Sequence, residues 1–327
     1  MSGLVGHSLY AILALQQAEE WTPSLVPLLK RHFGSYLAGA YIGADIQMMP
    51  EAVCVQTGKE LGIGTVPLTE SPFTGGPVRP WYLEHAGNRF RPNEIHRLFY
   101  GRSHLIFGWT KEMANLRVSW DLLVRYAVCV IKDYSASSPT SDNGLAWIFG
   151  WLVHVVSDSM IKSRQPGLKM HLVDGLYTAR NRPIQDLFAF YEMGVKELKI
   201  DWKGTFALMA QAPIEAVQFH YMRIRPLGPH LSKAFADGWA ESQGDLLQTV
   251  LRENRRWLSH HAGDVLAELM LEEVSGRRLP SKIFREWTQD SDYGELMAMA
   301  EKAGIRDVLR GIVEETVGLF DHVLAEL

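Results

Sequence analysis

Cysteine is almost absent from this sequence of 327 residues, which contains Cys54 and Cys129 alone. Two cysteines are too few for the disulfide framework that stabilises small secreted proteins, and a chain of this length can bury a sizeable core without one. We therefore expect both thiols to be reduced and to pack in apolar helical surroundings.

Long uninterrupted apolar runs are missing as well. A membrane-spanning helix needs about 20 apolar residues in succession, and the stretch 146–156 is shorter and contains His154. The amino terminus is apolar but has no positively charged region, so a secretory signal peptide is not expected. These features predict a cytoplasmic protein with no membrane span.

Neither sign of charge dominates, because 33 lysines and arginines stand against 37 aspartates and glutamates, a formal net charge of −4. The overall charge therefore gives no specific signal for binding to nucleic acid or to an anionic membrane. The sequence also has no Gly-rich phosphate loop, no Gly-x-Ser-x-Gly, no Cys-x-x-Cys and no His-Glu-x-x-His. No familiar short motif of these kinds identifies its chemistry.

Apolar residues, 47% of the chain, recur at helical spacing through most of the sequence, whereas period-two runs of β-branched residues are almost absent. This pattern predicts an all-α fold. Several of the expected helices begin with proline at the first helical position, where its missing N–H costs nothing. We expect helices over 4–18, 23–31, 36–47, 50–61, 92–100, 103–134, 145–162, 183–192, 213–221, 229–260, 262–274, 280–287 and 293–327. Residues 62–91, rich in glycine and proline, and 163–182 are expected to be irregular.

The sharpest sign of chemistry is the pair His154 and Asp158 within the apolar segment 150–158. Residues four apart on a helix project from one face, about 5–6 Å apart at Cβ, so both side chains could bind one ion. Imidazole nitrogen and carboxylate oxygen both suit zinc, and apolar surroundings strengthen the electrostatic interaction. The alternative is an ordinary hydrogen bond between helix neighbours.

Three more ligand-type residues, His7, Asp45 and His104, also lie in apolar segments. Each would be costly to bury without a partner. Taken singly, each fits a hydrogen-bonded core histidine or a carboxylate at a helix end. Taken together, they place one or two ligand-type residues on each of four helices, as metal sites in helix bundles do.

The order of these residues resembles that of a known family. His7, then Ile42-Gly43-Ala44-Asp45-Ile46, then His104, then His154-x-x-x-Asp158 is similar to the zinc-dependent phospholipase C family, which is related to the S1/P1 single-strand nucleases. The resemblance covers about residues 1–192. It implies the helix bundle of that family and a cluster of one to three Zn²⁺ ions.

Carried onto this chain, the resemblance implies a ligand set in which Asp158 bridges two zinc ions. The remaining ligands would be His7, Asp45, His154 and His104, with His96 as the alternative to His104.

One zinc position departs from the family pattern. The family has a further histidine shortly after the bridging aspartate, where this chain has Arg164, and then a His-x-x-x-Glu pair. The nearest candidates here are His171 and Asp174, spaced as His-x-x-Asp. We expect that zinc position to be missing or rebuilt.

A group of basic residues surrounds this departure: Lys162, Arg164, Lys169, Arg180 and Arg182. Guanidinium and ammonium groups can hold a phosphate oxygen where a metal otherwise would, so a substrate clamp is one interpretation and a solvated basic loop is the other. The expected function is hydrolysis of a phosphate ester or phosphodiester by metal-activated water, with Asp158 and Arg164 in catalytic roles. The substrate would be a small phosphorylated molecule or a phospholipid head group.

The chain is expected to divide into a helical metal-binding domain, 1–194, and a helical carboxyl-terminal extension, 195–327, with one single domain left as the alternative. His260 and His261 are expected at the end of a helix, where cations interact favourably with the helix dipole. The alternative to an enzyme is a non-catalytic relative with one structural metal or none, which binds a protein through its carboxyl-terminal helices.

Overall fold

Helices dominate this protein, and the predicted all-α class is confirmed. The computed structural model describes residues 3–43, 48–62, 68–71, 73–95, 98, 120–137, 141–163, 181–213 and 241–327. The α-helices in these ranges are α1 (Leu4–Trp21), α2 (Val26–Arg31), α3 (Phe33–Ile42), α4 (Trp120–Ser137), α5 (Ser141–Ser163), α6 (Asn181–Leu187), α7 (Trp202–Ala210), α8 (Glu241–Glu268), α9 (Lys282–Thr288), α10 (Tyr293–Lys302) and α11 (Ile305–Glu326). A π-helix, Phe188–Glu197, continues α6.

Three helices form the centre of the molecule. Residues 4–11 of α1, 35–42 of α3 and 146–158 of α5 are buried without interruption. A helix that is buried on every side belongs to the interior of a protein. The most extensive contact joins α3 to α5, α1 packs on both of them, and α11 covers α1, α4 and α5. A polar side chain on the buried stretches of α1, α3 or α5 therefore lies deep in the core.

Two glycines let α3 and α5 approach each other closely. A Cβ atom on Gly39 would lie 2.0 Å from the carbonyl oxygen of Trp147, and a Cβ atom on Gly150 would lie 1.9 Å from that of Tyr36. Both distances are far below an ordinary van der Waals contact. The two helices thus pack backbone against backbone at these positions.

The hydrophobic core continues into the carboxyl-terminal helices. Phe149 of α5 packs edge-on against Phe320 of α11, with ring centroids 5.2 Å apart. Buried residues of α8, α10 and α11 belong to the same apolar cluster as those of α1, α3 and α5. The described residues before and after position 194 therefore share one core.

The helix predicted over 50–61 is wrong. This segment forms β1 (Ala52–Cys54) and β2 (Glu60–Leu61), which pair antiparallel, and β3 (Val78–Pro80) pairs with the other edge of β1. Gly58 adopts a positive φ of 71° in the connecting turn, a conformation that glycine tolerates and a helix excludes. The region 62–91, predicted to be irregular, contains β3 and a hairpin of β4 (Leu83–His85) and β5 (Asn88–Phe90).

The carboxyl-terminal region also differs from the prediction. Helix α8 runs through residue 261, where a break was expected, and residues 272–274 form β6 of a hairpin with β7 (Arg277–Leu279). Gly304, with φ of 70°, separates α10 from α11 where one helix was expected. Within the described ranges, none of the helices combines the length and the apolarity that a membrane span requires.

Candidate metal centre

His7, His154 and Asp158 meet at the centre of the helix bundle. Helix α1 supplies His7 from its first turn, and α5 supplies the other two from its buried middle. His7 Nε2 lies 3.6 Å from Asp158 Oδ1, and His154 Nε2 lies 3.5 Å from Asp158 Oδ2. One ligand atom from each of the three lies within 4.8 Å of the others, and the residues are 0%, 0% and 1% exposed. The structure thus brings together three of the predicted metal ligands.

The end of α3 orients the His154 ring. His154 Nδ1 lies 2.9 Å from the carbonyl oxygen of Ala40. A carbonyl can only accept, so Nδ1 donates its proton to Ala40, which belongs to the last turn of α3. The other nitrogen of a neutral ring then carries a lone pair, and that nitrogen faces Asp158.

Ser157 orients the His7 ring as Ala40 orients that of His154, through a contact with Nδ1. Its hydroxyl donates to the carbonyl oxygen of His154 over 3.1 Å, and its Oγ lies 3.3 Å from His7 Nδ1. A hydroxyl has one proton, so Oγ accepts from His7 Nδ1 while it donates to the carbonyl. In a neutral ring of that tautomer, His7 Nε2 also presents a lone pair towards the carboxylate. Fixing the tautomer through the outer nitrogen is typical of metal-bound histidines.

A cation between these two nitrogens and the carboxylate would interact favourably with all three groups. One protonated imidazole would donate to one carboxylate oxygen, and the other imidazole would still face its oxygen without a proton between them. Two protonated imidazoles would place like charges in rings that stack 4.2 Å apart, which costs about 4 kcal/mol at an effective dielectric constant of 20. The arrangement of the three residues could therefore hold a metal cation.

The distances between the ligand atoms are compatible with a bound metal ion such as zinc. Two ligand atoms bonded at about 2.0–2.2 Å to one tetrahedral ion lie roughly 3.4 Å apart, close to the observed 3.5 and 3.6 Å. The two imidazole planes are parallel within 2° and stacked, so a single ion cannot lie in both planes. Each ring instead faces its own oxygen of the same carboxylate. Each histidine could thus share an ion with a different oxygen of Asp158.

The other predicted site residues cannot be placed. Asp45, His104, its alternative His96, Arg164, Lys169, His171, Asp174 and Arg180 lie outside the described residues. Lys162 belongs to α5 and Arg182 to α6, but their side chains are not described. Their roles stay predictions.

Tyr41 and His261 were missed as neighbours of this centre. The Tyr41 ring lies 6.3 Å from that of His7 between centroids, and its hydroxyl lies 3.0 Å from His261 Nε2. The expectation that His261 ends a helix is wrong, because α8 continues to Glu268 and buries His261. The signal was present in the sequence, since buried positions recur along α8 at spacings of three and four residues and His261 belongs to them. They are Leu247, Leu251, Asn254, Leu258, His261 and Val265.

Two buried amides were missed as well. The side chains of Gln185 on α6 and Asn254 on α8 are 4% and 0% exposed, and neither amide has a hydrogen-bond partner in the described part of the chain. Asp186, next to Gln185, is another buried carboxylate. Polar positions in this core therefore extend beyond the three convergent residues.

Comparisons with protein-family models, with curated proteins and with solved structures found no match to this chain. The similarity to the phospholipase C family therefore rests on the motif residues alone.

Proposed function

We propose that this protein is a zinc-dependent hydrolase of phosphate esters or phosphodiesters, with His7, His154 and Asp158 as part of a centre for two or more ions. One observation carries the proposal: the Nε2 atoms of two oriented imidazoles face different oxygens of one buried carboxylate. The substrate class comes from the resemblance in motif order to the phospholipase C and S1/P1 group.

Each residue has a defined part in this proposal. His7 and Asp158 Oδ1 would hold one ion, and His154 and Asp158 Oδ2 would hold another. Bound ions would activate water and stabilise negative charge on the phosphoryl oxygens. The apolar helices around the site exclude water and strengthen these electrostatic interactions.

The basic residues that follow α5 would bind the phosphate group. They are Lys162, Arg164, Lys169 and Arg180. Arginine suits this role because its planar guanidinium donates two parallel hydrogen bonds to phosphate oxygens.

A single structural ion is the second candidate. His7, His154 and Asp158 are almost completely buried, and structural zinc sites are closed, whereas catalytic ones keep a position open to water or substrate. An ion of this kind would stabilise the contact of α1 with α5 and would leave the protein without hydrolytic activity.

Metal analysis of the purified protein separates these candidates. We expect at least two zinc ions per chain, together with hydrolysis of bis-nitrophenyl phosphate or of a phosphocholine lipid. His154→Ala should lose both zinc and activity, whereas His322→Ala, at an exposed position of α11, should retain both.

Three results would count against the hydrolase. One zinc ion per chain without turnover would favour the structural candidate. The absence of zinc would remove both candidates. Full activity in His154→Ala would show that hydrolysis takes place elsewhere.

A further inference from the structure

The last turn of α3 touches both imidazoles of the candidate centre. The carbonyl of Ala40 accepts the proton of His154 Nδ1 over 2.9 Å. The next residue, Tyr41, packs its ring against that of His7 at a tilt of 44°. The position of this turn therefore affects the orientation of both histidines.

His261 anchors this turn from outside the amino-terminal helices. Its Nε2 lies 3.0 Å from the Tyr41 hydroxyl, and both residues are buried, at 4% and 2% exposure. The hydroxyl also lies 3.4 Å from the sulfur of Met48. Thioether sulfur is a weak acceptor, so the bond to His261 is the stronger of these two contacts.

Sequence separation makes this contact informative. His261 is 220 residues from Tyr41 and lies on α8, in the segment predicted to be an extension. The neighbouring His260 is exposed, and its Nδ1 contacts the carbonyl of Arg256 in its own helix. Two adjacent histidines therefore have different environments, and one of them connects α8 to the centre.

We infer that His261 is a positioning residue for the metal centre, because it holds Tyr41 against His7 and so couples helix α8 to the ligand geometry. This inference rests on the proposed metal site. Catalytic and metal constellations require their ligands to stay within about 0.5 Å of the productive geometry. Loss of a residue that orients a metal ligand typically lowers metal affinity about 10- to 100-fold. Since His261 acts through a second residue, we expect about 10-fold.

The test measures zinc affinity by competition with a chromogenic chelator, on the full chain. His261→Ala and Tyr41→Phe should each weaken zinc binding about 10-fold, and the double variant should be no weaker, because both remove the same bond. His261→Gln should recover part of the affinity through its amide, and His260→Ala should bind as the unsubstituted protein does. Cobalt in place of zinc adds a second measurement, since its visible spectrum should change in His261→Ala but not in His260→Ala.

Each outcome decides one point. Unchanged zinc affinity in His261→Ala and Tyr41→Phe, or effects that multiply in the double variant, would overturn the positioning role and leave the metal site in place. If the unsubstituted protein binds no zinc, the proposed function and this inference fall together. Should His261→Ala not fold, Tyr41→Phe decides alone, because it removes one oxygen atom and keeps the ring.

Discussion

Gly150→Ala tests whether the backbone contact of α3 with α5 positions the centre. The new Cβ atom would lie 1.9 Å from the carbonyl oxygen of Tyr36, against 3.4 Å for the shortest ordinary contact. The helices would have to separate by up to 1.5 Å, the difference of these distances. His154 follows Gly150 by four residues on the same helix, so its bond to Ala40 would lengthen with the separation.

The expected change in the free energy of unfolding is the sum of two destabilising effects and one stabilising effect. Overpacking against rigid backbone costs about 3 kcal/mol, the upper end of the usual range, because the obstructing atom is a carbonyl oxygen and not a flexible side chain. Loss of the hydrogen bond of His154 adds about 1 kcal/mol. The higher helix propensity of alanine offsets about 1 kcal/mol. We expect Gly150→Ala to lower the free energy of unfolding by about 3 kcal/mol and to weaken zinc binding.

Urea unfolding measures this effect, and Gly263→Ala is the matched control. Gly263 lies inside α8, and among the described residues a Cβ atom there would have nothing within 4 Å beyond its own helix and neighbours. The same substitution should therefore raise the free energy of unfolding by about 0.5–1 kcal/mol. The reasoning fails if Gly150→Ala proves as stable as the unsubstituted protein, since the close approach of α3 and α5 would then be wrong.

Three further predictions test separate parts of the molecule. Removal of zinc with a chelator should lower the melting temperature, because an ion that binds only the folded state stabilises that state. The stabilisation is about 2.7 kcal/mol when the free zinc concentration is a hundredfold above Kd. An unchanged melting temperature would contradict the site. The backbone N–H of Glu295 lowers the pKa of Asp292, the capping residue of α10, so its contribution to stability is present above its unfolded pKa and lost as pH falls through its folded pKa. Urea unfolding should show that Asp292→Ala lowers the free energy of unfolding at neutral pH, and that this loss shrinks towards about pH 3. A loss that does not change with pH would argue against the cap. Hydrogen bonding to Thr57 lowers the pKa of Cys54 to about 7. Cys54 is buried in β1 and Cys129 is exposed, so the expectation that both thiols pack in apolar helical surroundings is wrong. Iodoacetamide should therefore modify Cys129 first in the folded protein, and early loss of the Cys54 thiol would show that this strand opens.

Local patterns account for the helical class and for part of the site. Period-3.6 apolar spacing depends on neighbours in sequence, so most of the helix-rich segments could be predicted without any knowledge of the fold. The same logic singled out His7, His154 and Asp158, because a polar group in an apolar segment is costly to bury alone. The segment 50–61 misled this reasoning, because its apolar residues fit helical spacing while Gly58 closes a turn between two strands.

Only the tertiary structure decided which faces meet. Three contacts join residues of different helices that lie 114 to 220 positions apart: the parallel stacking of His7 on His154, the bond of His154 to Ala40 and the bond of Tyr41 to His261. Helical periodicity identifies the buried face of each helix, but the partner of that face depends on how the helices pack, which glycines such as Gly39 and Gly150 determine here by allowing close approach. Composition and spacing therefore determined that these side chains are buried. Long-range packing determined that two imidazoles share one carboxylate, because no local interaction along the chain distinguishes that pairing from others.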